Sequence, residues 1–440
     1  MPDKSVAVLG TGMSAFGAGY TLEAARVPFV CYDKNDFLGG HTRSFRYDGG
    51  FVLDEGGHIS FTKHEHVRNI LAEAVKGKHE ERRLAIDNYW HGLRVPHPVQ
   101  SNLRGLPSEL LIKIIRDFVA AGAEAKPTPA GKVQTYDQWL YATYGKTFAN
   151  TFPIVYGTKY HTTTMDNLVT DWIGPRMYRP SLEDILHAAL EGPVPGSHYV
   201  EMFRYPSHGG FVSYIESFAG RSDVRLGHKV TSIDPRNKQL RFENGKVESY
   251  SALISSIPLP DVVPLVVGAP RDVLEAARKL AWTTAVLYNF GIDREDLSPT
   301  AITYFYDEDI VFSRVNLPHM FSPHNAPPGC GTIQAEIYFS DKYKPLTGKP
   351  EDYLDEVIAG LRRTGFIRES DKILLQKTSI NRYANVIYDL DRAAAVKTVH
   401  GFLDEQKIHY CGRYGNWDHA WTDQAFISGE ETARKVLGRL

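Results

Sequence analysis

Hydrophobic and polar positions along the 440-residue chain follow three patterns, each predicting a different kind of element. Short unbroken apolar runs stand at Ser5–Leu9, Val27–Tyr32 and Ser251–Pro260, flanked by turn residues, and predict buried strands. Apolar residues at helical spacing fill 107–125, where Leu110, Leu111, Ile114, Ile115, Phe118 and Val119 share a face. Shorter helices are predicted at Ala18–Ala25, Tyr136–Tyr144, Leu182–Leu190 and Phe426–Leu437, and Lys126–Gly131 is a Pro/Gly-rich break. From Ala285 to Glu336 the pattern turns to strands, at Val286–Ile292, Ala301–Tyr306, Ile310–Val315 and Thr332–Tyr338. These suggest an antiparallel sheet with Tyr304 on its second strand and Arg314 on its third. Arg225–Asp234 reads as a short strand before a hairpin, and His409–Cys411 as a late strand broken by glycine.

The first two runs belong to a more specific unit. Gly10-Thr-Gly12-Met13-Ser14-Ala15 follows the first strand, a helix follows that turn, and the second strand ends at Asp33. Strand, GxGxxA turn, helix, strand and acid in this order predict a dinucleotide site. Gly10 permits the tight turn, and Gly12 lets backbone N–H groups approach a pyrophosphate. Ala15 lets helix and strand pack closely, and the helix N-terminus faces the phosphates. Asp33 would accept hydrogen bonds from ribose hydroxyls.

Composition narrows the class. Lys+Arg is 50 and Asp+Glu is 52, so the basic excess expected of a nucleic-acid binder is missing. No apolar stretch reaches the roughly 18 residues of a membrane span; Leu280–Ile292 comes nearest. MPDKSVAVLG lacks the basic region and long apolar run of a signal peptide, so a cytoplasmic enzyme is expected. Three scattered cysteines form no disulfide framework or zinc spacing, and the histidines show no metal-ligand spacing. Twenty-four tyrosines suit a cleft that holds a polar ligand. The length allows two or three interleaved domains.

Two further glycine clusters select the dinucleotide. Lys34 to Thr42 contains Gly39-Gly40-His41-Thr42, and Asp54-Glu55-Gly56-Gly57-His58 closes a later strand. Both resemble the FAD-binding pattern of glutathione-reductase-like flavoproteins, in which such a backbone passes beside the isoalloxazine ring, where only glycine allows close approach. That resemblance implies adenine contacts at Val230. It also implies a C-terminal closure by Gly412, Arg413 and a helix N-terminus, Asp423-Gln424-Ala425, beside the ribityl chain. The expected fold is α/β: a Rossmann-like FAD-binding domain with an inserted helical region and an antiparallel β-sheet substrate domain. The boundaries fall at 1–104, 206–265 and 396–440 for the FAD-binding parts, 105–205 for the helical insert and 266–395 for the sheet.

Nearly the whole chain, in order, resembles the UDP-galactopyranose mutases, and more distantly the amine oxidase and protoporphyrinogen oxidase group. Gly412-Arg413-Tyr414-Gly415-Asn416-Trp417 is the most specific match, to G-R-F-G-x-W. Val95-Pro96-His97-Pro98-Val99-Gln100-Ser101-Asn102 is similar to V-P-Y-P-F-Q-N-N, Thr135–Trp139 to T-F-D-E-W, Trp172–Arg176 to W-L-x-x-R, and Phe312-Ser313-Arg314 to the strand whose arginine reaches a diphosphate. The chain departs from the family on the nucleotide and sugar side. A histidine or tyrosine, His161 or Tyr160, stands where an aromatic stacks on uracil. His97 and Val99 replace two aromatics, and the family tyrosine near the sugar shifts to Tyr388.

The resemblance implies an FAD-dependent nucleotide-sugar mutase that interconverts pyranose and furanose forms, with reduced flavin N5 as nucleophile toward the anomeric carbon. Arg314 and Arg413 would hold the leaving diphosphate, with Arg176 as a third candidate. His58 would lie at the flavin. Gln100, Asn102, Tyr156, Tyr304, Tyr388 and Trp417 are candidate substrate contacts. The expected partners are a nucleotide sugar, NAD(P)H as an optional reductant and further copies of the chain in an oligomer, with no nucleic acid and no membrane span. The rival reading is an FAD-dependent oxidase or desaturase, which would not need the G-R-x-G-x-W ending or Arg314.

Overall fold

A computed structural model describes residues 5–124, 134–174, 177–194 and 200–439. Arg176 and the predicted break at Lys126–Gly131 lie outside the described residues. The fold is α/β, organised around two sheets. The first has five parallel strands in the order Ile408–Tyr410, Ala252–Ser255, Val6–Leu9, Phe29–Tyr32 and Asp223–Arg225. Its residues alternate between two cores. Ala7, Leu9, Val30, Tyr32 and Leu253 pack on one face, and Val6, Val8, Cys31 and Ile254 on the other. Burial on both faces is why these strands read as unbroken apolar runs.

Helix Met13–Ala24 starts directly after Gly12 and packs against the terminal helix Thr422–Leu437. Their contact is backbone on backbone. A Cβ on Gly17 would sit 2.0 Å from the Phe426 carbonyl oxygen, and one on Gly429 1.9 Å from that of Ser14. The terminal helix begins four residues earlier than its apolar pattern, because Thr422–Ala425 form a polar first turn whose Gln424 side chain accepts from the Trp421 N–H.

The second sheet has seven strands in the order Ile373–Val386, Trp282–Ile292, Gly331–Phe339, Arg314–Asn316, Ile302–Phe305, Ile86–Trp90 and Leu93–Pro96. All neighbours run antiparallel except the pair 302–305 and 86–90. The expected first segment, 1–104, therefore contributes two strands to this second sheet. The strand expected at Ile310–Val315 is shorter and later, at Arg314–Asn316, since Asp307–Ser313 forms a turn that buries Ile310 and Phe312. Arg225–Asp234 likewise splits. Asp223–Arg225 joins the parallel sheet, and Val230–Asp234 opens a three-stranded sheet with Gln239–Phe242 and Val247–Ser249. One face of the seven-stranded sheet buries Val286, Tyr288, Phe290, Phe305, Val315, Ala335 and Ile337 in a core. Side chains alternate along a strand, so Leu287, Tyr304, Arg314 and Glu336 point to the other face. The helices Ser108–Glu124, Tyr136–Tyr144, Pro153–His161 and Leu182–Leu190 share a separate core beside that face.

Candidate active site

Between the two sheets lies a continuous cavity of about 1300 Å³. A pocket for one drug-sized ligand is roughly 300–1,000 Å³, so this space suits a dinucleotide together with a second ligand.

Glycine backbone forms one end. Gly10, Gly12, Gly39, Gly40, Gly56 and Gly57 all line it. Nothing lies within 4 Å of where a Cβ on Gly56 would be, and at Gly12 only the Gly39 carbonyl oxygen comes as near as 3.6 Å, so the space beside both backbones is open cavity. No side chain caps the N-terminus of helix Met13–Ala24, so its first-turn N–H groups remain available for an anion. Met13 and Ser14 of that turn line the cavity, whereas Ala15 faces the core. The Asp33 carboxylate is held by the Thr11 hydroxyl at 2.7 Å and the Asn35 N–H at 2.9 Å, and stands at the wall with Lys34, Thr42 and Val230. His41 also lines this end. Burial lowers its pKa to about 3, and its buried Nδ1 has no partner. Uncapped N–H groups, glycine surface, a carboxylate at the end of the second strand and an orphaned imidazole nitrogen together fit FAD. Sequence reasoning passed over Arg43, whose guanidinium carbon lies 3.6 Å from the Phe37 ring centre and 4.3 Å from that of Phe45 at the cavity wall.

The seven-stranded sheet forms the opposite wall. Its register puts Tyr304 beside Arg314, Arg314 beside Glu336, Glu336 beside Leu287 and Leu287 beside Ser379. Two residues along, Tyr338, Ala285 and Asn381 make a second row, and both rows line the cavity. Arg314 donates to Glu336 through Nε at 3.0 Å and Nη2 at 2.9 Å, while Tyr338 (2.5 Å) and Asn316 (2.6 Å) also donate to that carboxylate. The arginine therefore enters the cavity with its charge already partnered, which the sequence did not suggest. Glu336 and Tyr338 were not singled out. The available signal was one acid inside the apolar run Gly331–Phe339, now 1% exposed.

Arg413 lines the cavity from the third side. Its Nε donates to the Ala420 carbonyl at 2.9 Å and Nη1 to that of Ala384 at 3.1 Å. His58 stands between the glycine end and the arginines. Burial, with the Arg413 and Arg314 charges opposing protonation, lowers its pKa to about 4. The ring is neutral at pH 7, Nδ1–H donates to the Gly56 carbonyl at 2.9 Å, and Nε2 is left as an acceptor. Tyr156, Tyr160, Tyr304 and Tyr306 form an aromatic cluster with ring centres 5.3–5.7 Å apart. Burial raises the pKa of Tyr156 well above the usual value, so its hydroxyl keeps its proton. Beyond them, His161 and Trp172 line the far end, 5.4 Å apart. Burial alone lowers the pKa of His161 to about 3.

Gln100 lines the cavity, but other expected contacts stand behind its walls. Asn102 is buried, with its amide donating to the Pro98 carbonyl at 2.9 Å. Trp417 is fully buried among the residues of the core, and Tyr388 is 2% exposed with its hydroxyl bonded to Asp418. Gly412 approaches Ser14 so closely that a Cβ would lie 2.5 Å from the Ser14 hydroxyl oxygen, which makes it a packing glycine. Asp423 and Gln424 belong to the first turn of the terminal helix, and Ala425 alone of the three reaches the cavity. Among the described residues no group of three His, Cys, Asp or Glu could hold a metal, and no helix is long and apolar enough to cross a membrane.

A parallel sheet with a glycine cradle faces a second sheet across one cavity, and the family match makes this a flavin-dependent enzyme. The chain belongs to the family described as flavin containing amine oxidoreductase, whose model matches residues 17–437. The fold is shared with a crystal structure of reduced UDP-galactopyranose mutase at TM-score 0.92 and 22% identity, covering 99% of this chain and 96% of that one. It is shared also with a protein from Exiguobacterium sp. 255-15 provisionally named protoporphyrinogen oxidase, at TM-score 0.76 and 16% identity over 100% of both chains. Putrescine oxidase bound to putrescine matches at TM-score 0.66 and 16% identity over 99% of both chains.

Proposed function

We propose that the chain is an FAD-dependent mutase that interconverts pyranose and furanose forms of a nucleoside-diphosphate sugar. The observation that carries this reading is the meeting of Arg314, Arg413 and four tyrosines across one cavity from the glycine cradle. Gly10, Gly12, the first turn of helix Met13–Ala24 and Asp33 would hold FAD, with His41, Gly56 and Gly57 nearer the ring. Reduced FAD, when bound, supplies a nucleophilic ring nitrogen for the anomeric carbon. Ring-size exchange is redox-neutral, and the diphosphate must stay bound while the anomeric carbon–oxygen bond is open. Arginine suits that task because its fork stays charged and binds phosphate oxygens in pairs. Arg314 is held rigid by Glu336, and Arg413 by two carbonyls, so neither must reorganise to meet the anion. Neutral His58 offers Nε2 as an acceptor to a sugar hydroxyl. Tyr156, which keeps its proton, offers a hydroxyl donor, and Tyr304 beside it offers a flat face.

A second reading is oxidation of an amine, favoured by one observation. Glu336 is a buried carboxylate on the cavity wall. Arg314, Tyr338 and Asn316 already donate to it, so an ammonium would have to displace one of them. Two parallel assays separate the readings. The dithionite-reduced protein is given UDP-galactopyranose and other nucleotide sugars under nitrogen, with products resolved by chromatography, and the oxidised protein is given amines in air with oxygen uptake followed. Furanose from the first is expected; no furanose there, with oxygen consumed on an amine in the second, would reject the mutase.

A further inference from the structure

Arg392 does not touch the cavity, yet it is tied to the part of the wall that holds Arg413. It is the first residue of helix Arg392–Glu405. A cation there opposes the helix dipole, so helix stability does not explain the residue. Its side chain turns instead to the loop after the Gly412–Gly415 turn. Nε donates to the Trp417 carbonyl at 3.0 Å, a second N–H reaches the same oxygen, and the guanidinium carbon lies 3.9 Å from the Tyr388 ring centre.

The residue it grips is conformationally unusual. Trp417 is fully buried at φ +55°, a left-handed backbone that bulky residues rarely adopt and that persists only where the surroundings fix it. The turn sends Asp418–Ala420 back toward the cavity. There the Asp418 N–H donates to the Arg413 carbonyl at 2.8 Å, and the Ala420 carbonyl accepts from Arg413 Nε at 2.9 Å. The Tyr388 hydroxyl bonds Asp418, and the His419 ring stacks parallel on Tyr388 at 5.3 Å, with His419 and Ala420 lining the cavity.

We propose that Arg392 is a positioning residue for the anion-binding end of the site. By gripping the Trp417 carbonyl and the Tyr388 face together, it fixes the left-handed turn that sets Ala420 beneath Arg413 and His419 at the wall. The grip needs a planar fork that donates twice along its edge while its face lies on a ring. Lysine can give a hydrogen bond and a charge but not that pair of contacts. The proposal rests on the reading that Arg413 contacts a diphosphate.

The test uses the FAD-loaded full chain and inorganic pyrophosphate as probe, with Arg392→Met, Arg392→Lys, Arg413→Ala and the Arg392→Met/Arg413→Ala double variant. Arg392→Met is expected to weaken pyrophosphate binding about tenfold at unchanged FAD content, Arg392→Lys to recover part of the loss, and Arg392→Met to add nothing once Arg413 is gone. Equal weakening in both backgrounds, or none, overturns the proposal. Hydrogen exchange of the 417–421 amides reads the turn directly. Faster exchange in Arg392→Met is expected, and unchanged exchange overturns the positioning role whatever Arg413 binds. If Arg413→Ala alone binds pyrophosphate normally while exchange at 417–421 still rises in Arg392→Met, the diphosphate reading fails and the positioning role stands.

Discussion

Arg314 and Glu336 are cross-strand neighbours whose charges settle each other, so binding and stability should come apart when either is removed. Arg314→Met would leave a carboxylate that is 1% exposed without its cation, at a cost of about 3–5 kcal/mol in chemical denaturation. Adding Glu336→Gln should recover most of that stability and none of the anion affinity; parallel recovery of both would show that Arg314 serves the fold alone. His161 gives a pH prediction. Its folded pKa of about 3 lies below the ordinary histidine value, so the unfolded chain takes up a proton there that the folded chain refuses as pH falls below about 6.5. Stability is lost on acidification, by roughly 2 kcal/mol between pH 6.5 and 5 for this one group. His161→Phe should remove that share of the acid sensitivity, visible as a smaller fall in melting temperature from pH 7 to 5. Residues singled out by their neighbours in sequence were legible as a group: the glycines at 10, 12, 56 and 57, Asp33 and His58 all line one cavity. Glu336, Tyr338 and Arg43 were not, because their partners come from other strands or loops. Trp417 and Tyr388 misled because an aromatic beside a motif reads the same whether it faces the cavity or supports its wall.

At the scale of elements, the parallel strands Val6–Leu9, Phe29–Tyr32 and Ala252–Ser255 and the helices Tyr136–Tyr144 and Leu182–Leu190 follow from apolar pattern alone. The strand at 314–316 did not, since the four residues before it have strand-like composition but fold as a turn. Register was also invisible in the sequence, and register is what assembles the Tyr304–Arg314–Glu336 row. The helix pair 13–24 and 422–437 carries the clearest prediction. Gly429→Ala would push a methyl to 1.9 Å from the Ser14 carbonyl oxygen, forcing apart the two helices whose first turns border the cradle. A loss of about 2–3 kcal/mol is expected, with a raised FAD dissociation constant measured by flavin fluorescence. Unchanged FAD affinity would mean that the cradle does not depend on that contact.

For the whole molecule, the near balance of 50 basic and 52 acidic residues hides a local arrangement: a neutral aromatic end at His161 and Trp172, an arginine-bearing middle and a glycine end. Putrescine oxidase shares this fold at 16% identity, as does UDP-galactopyranose mutase at 22%, so fold alone does not choose the reaction. What distinguishes the mutase account is that the anomeric carbon–oxygen bond opens and closes while the diphosphate stays bound. Positional isotope exchange tests this most directly. UDP-galactopyranose carrying ¹⁸O in the anomeric bridge is incubated with the dithionite-reduced protein under nitrogen, and phosphorus NMR follows the label. The account predicts that the label moves from the bridge to the non-bridging oxygens of the β-phosphate, with reduced protein only and with no net oxidation. A label that stays in the bridge, while the oxidised protein turns over another substrate with oxygen, would contradict it.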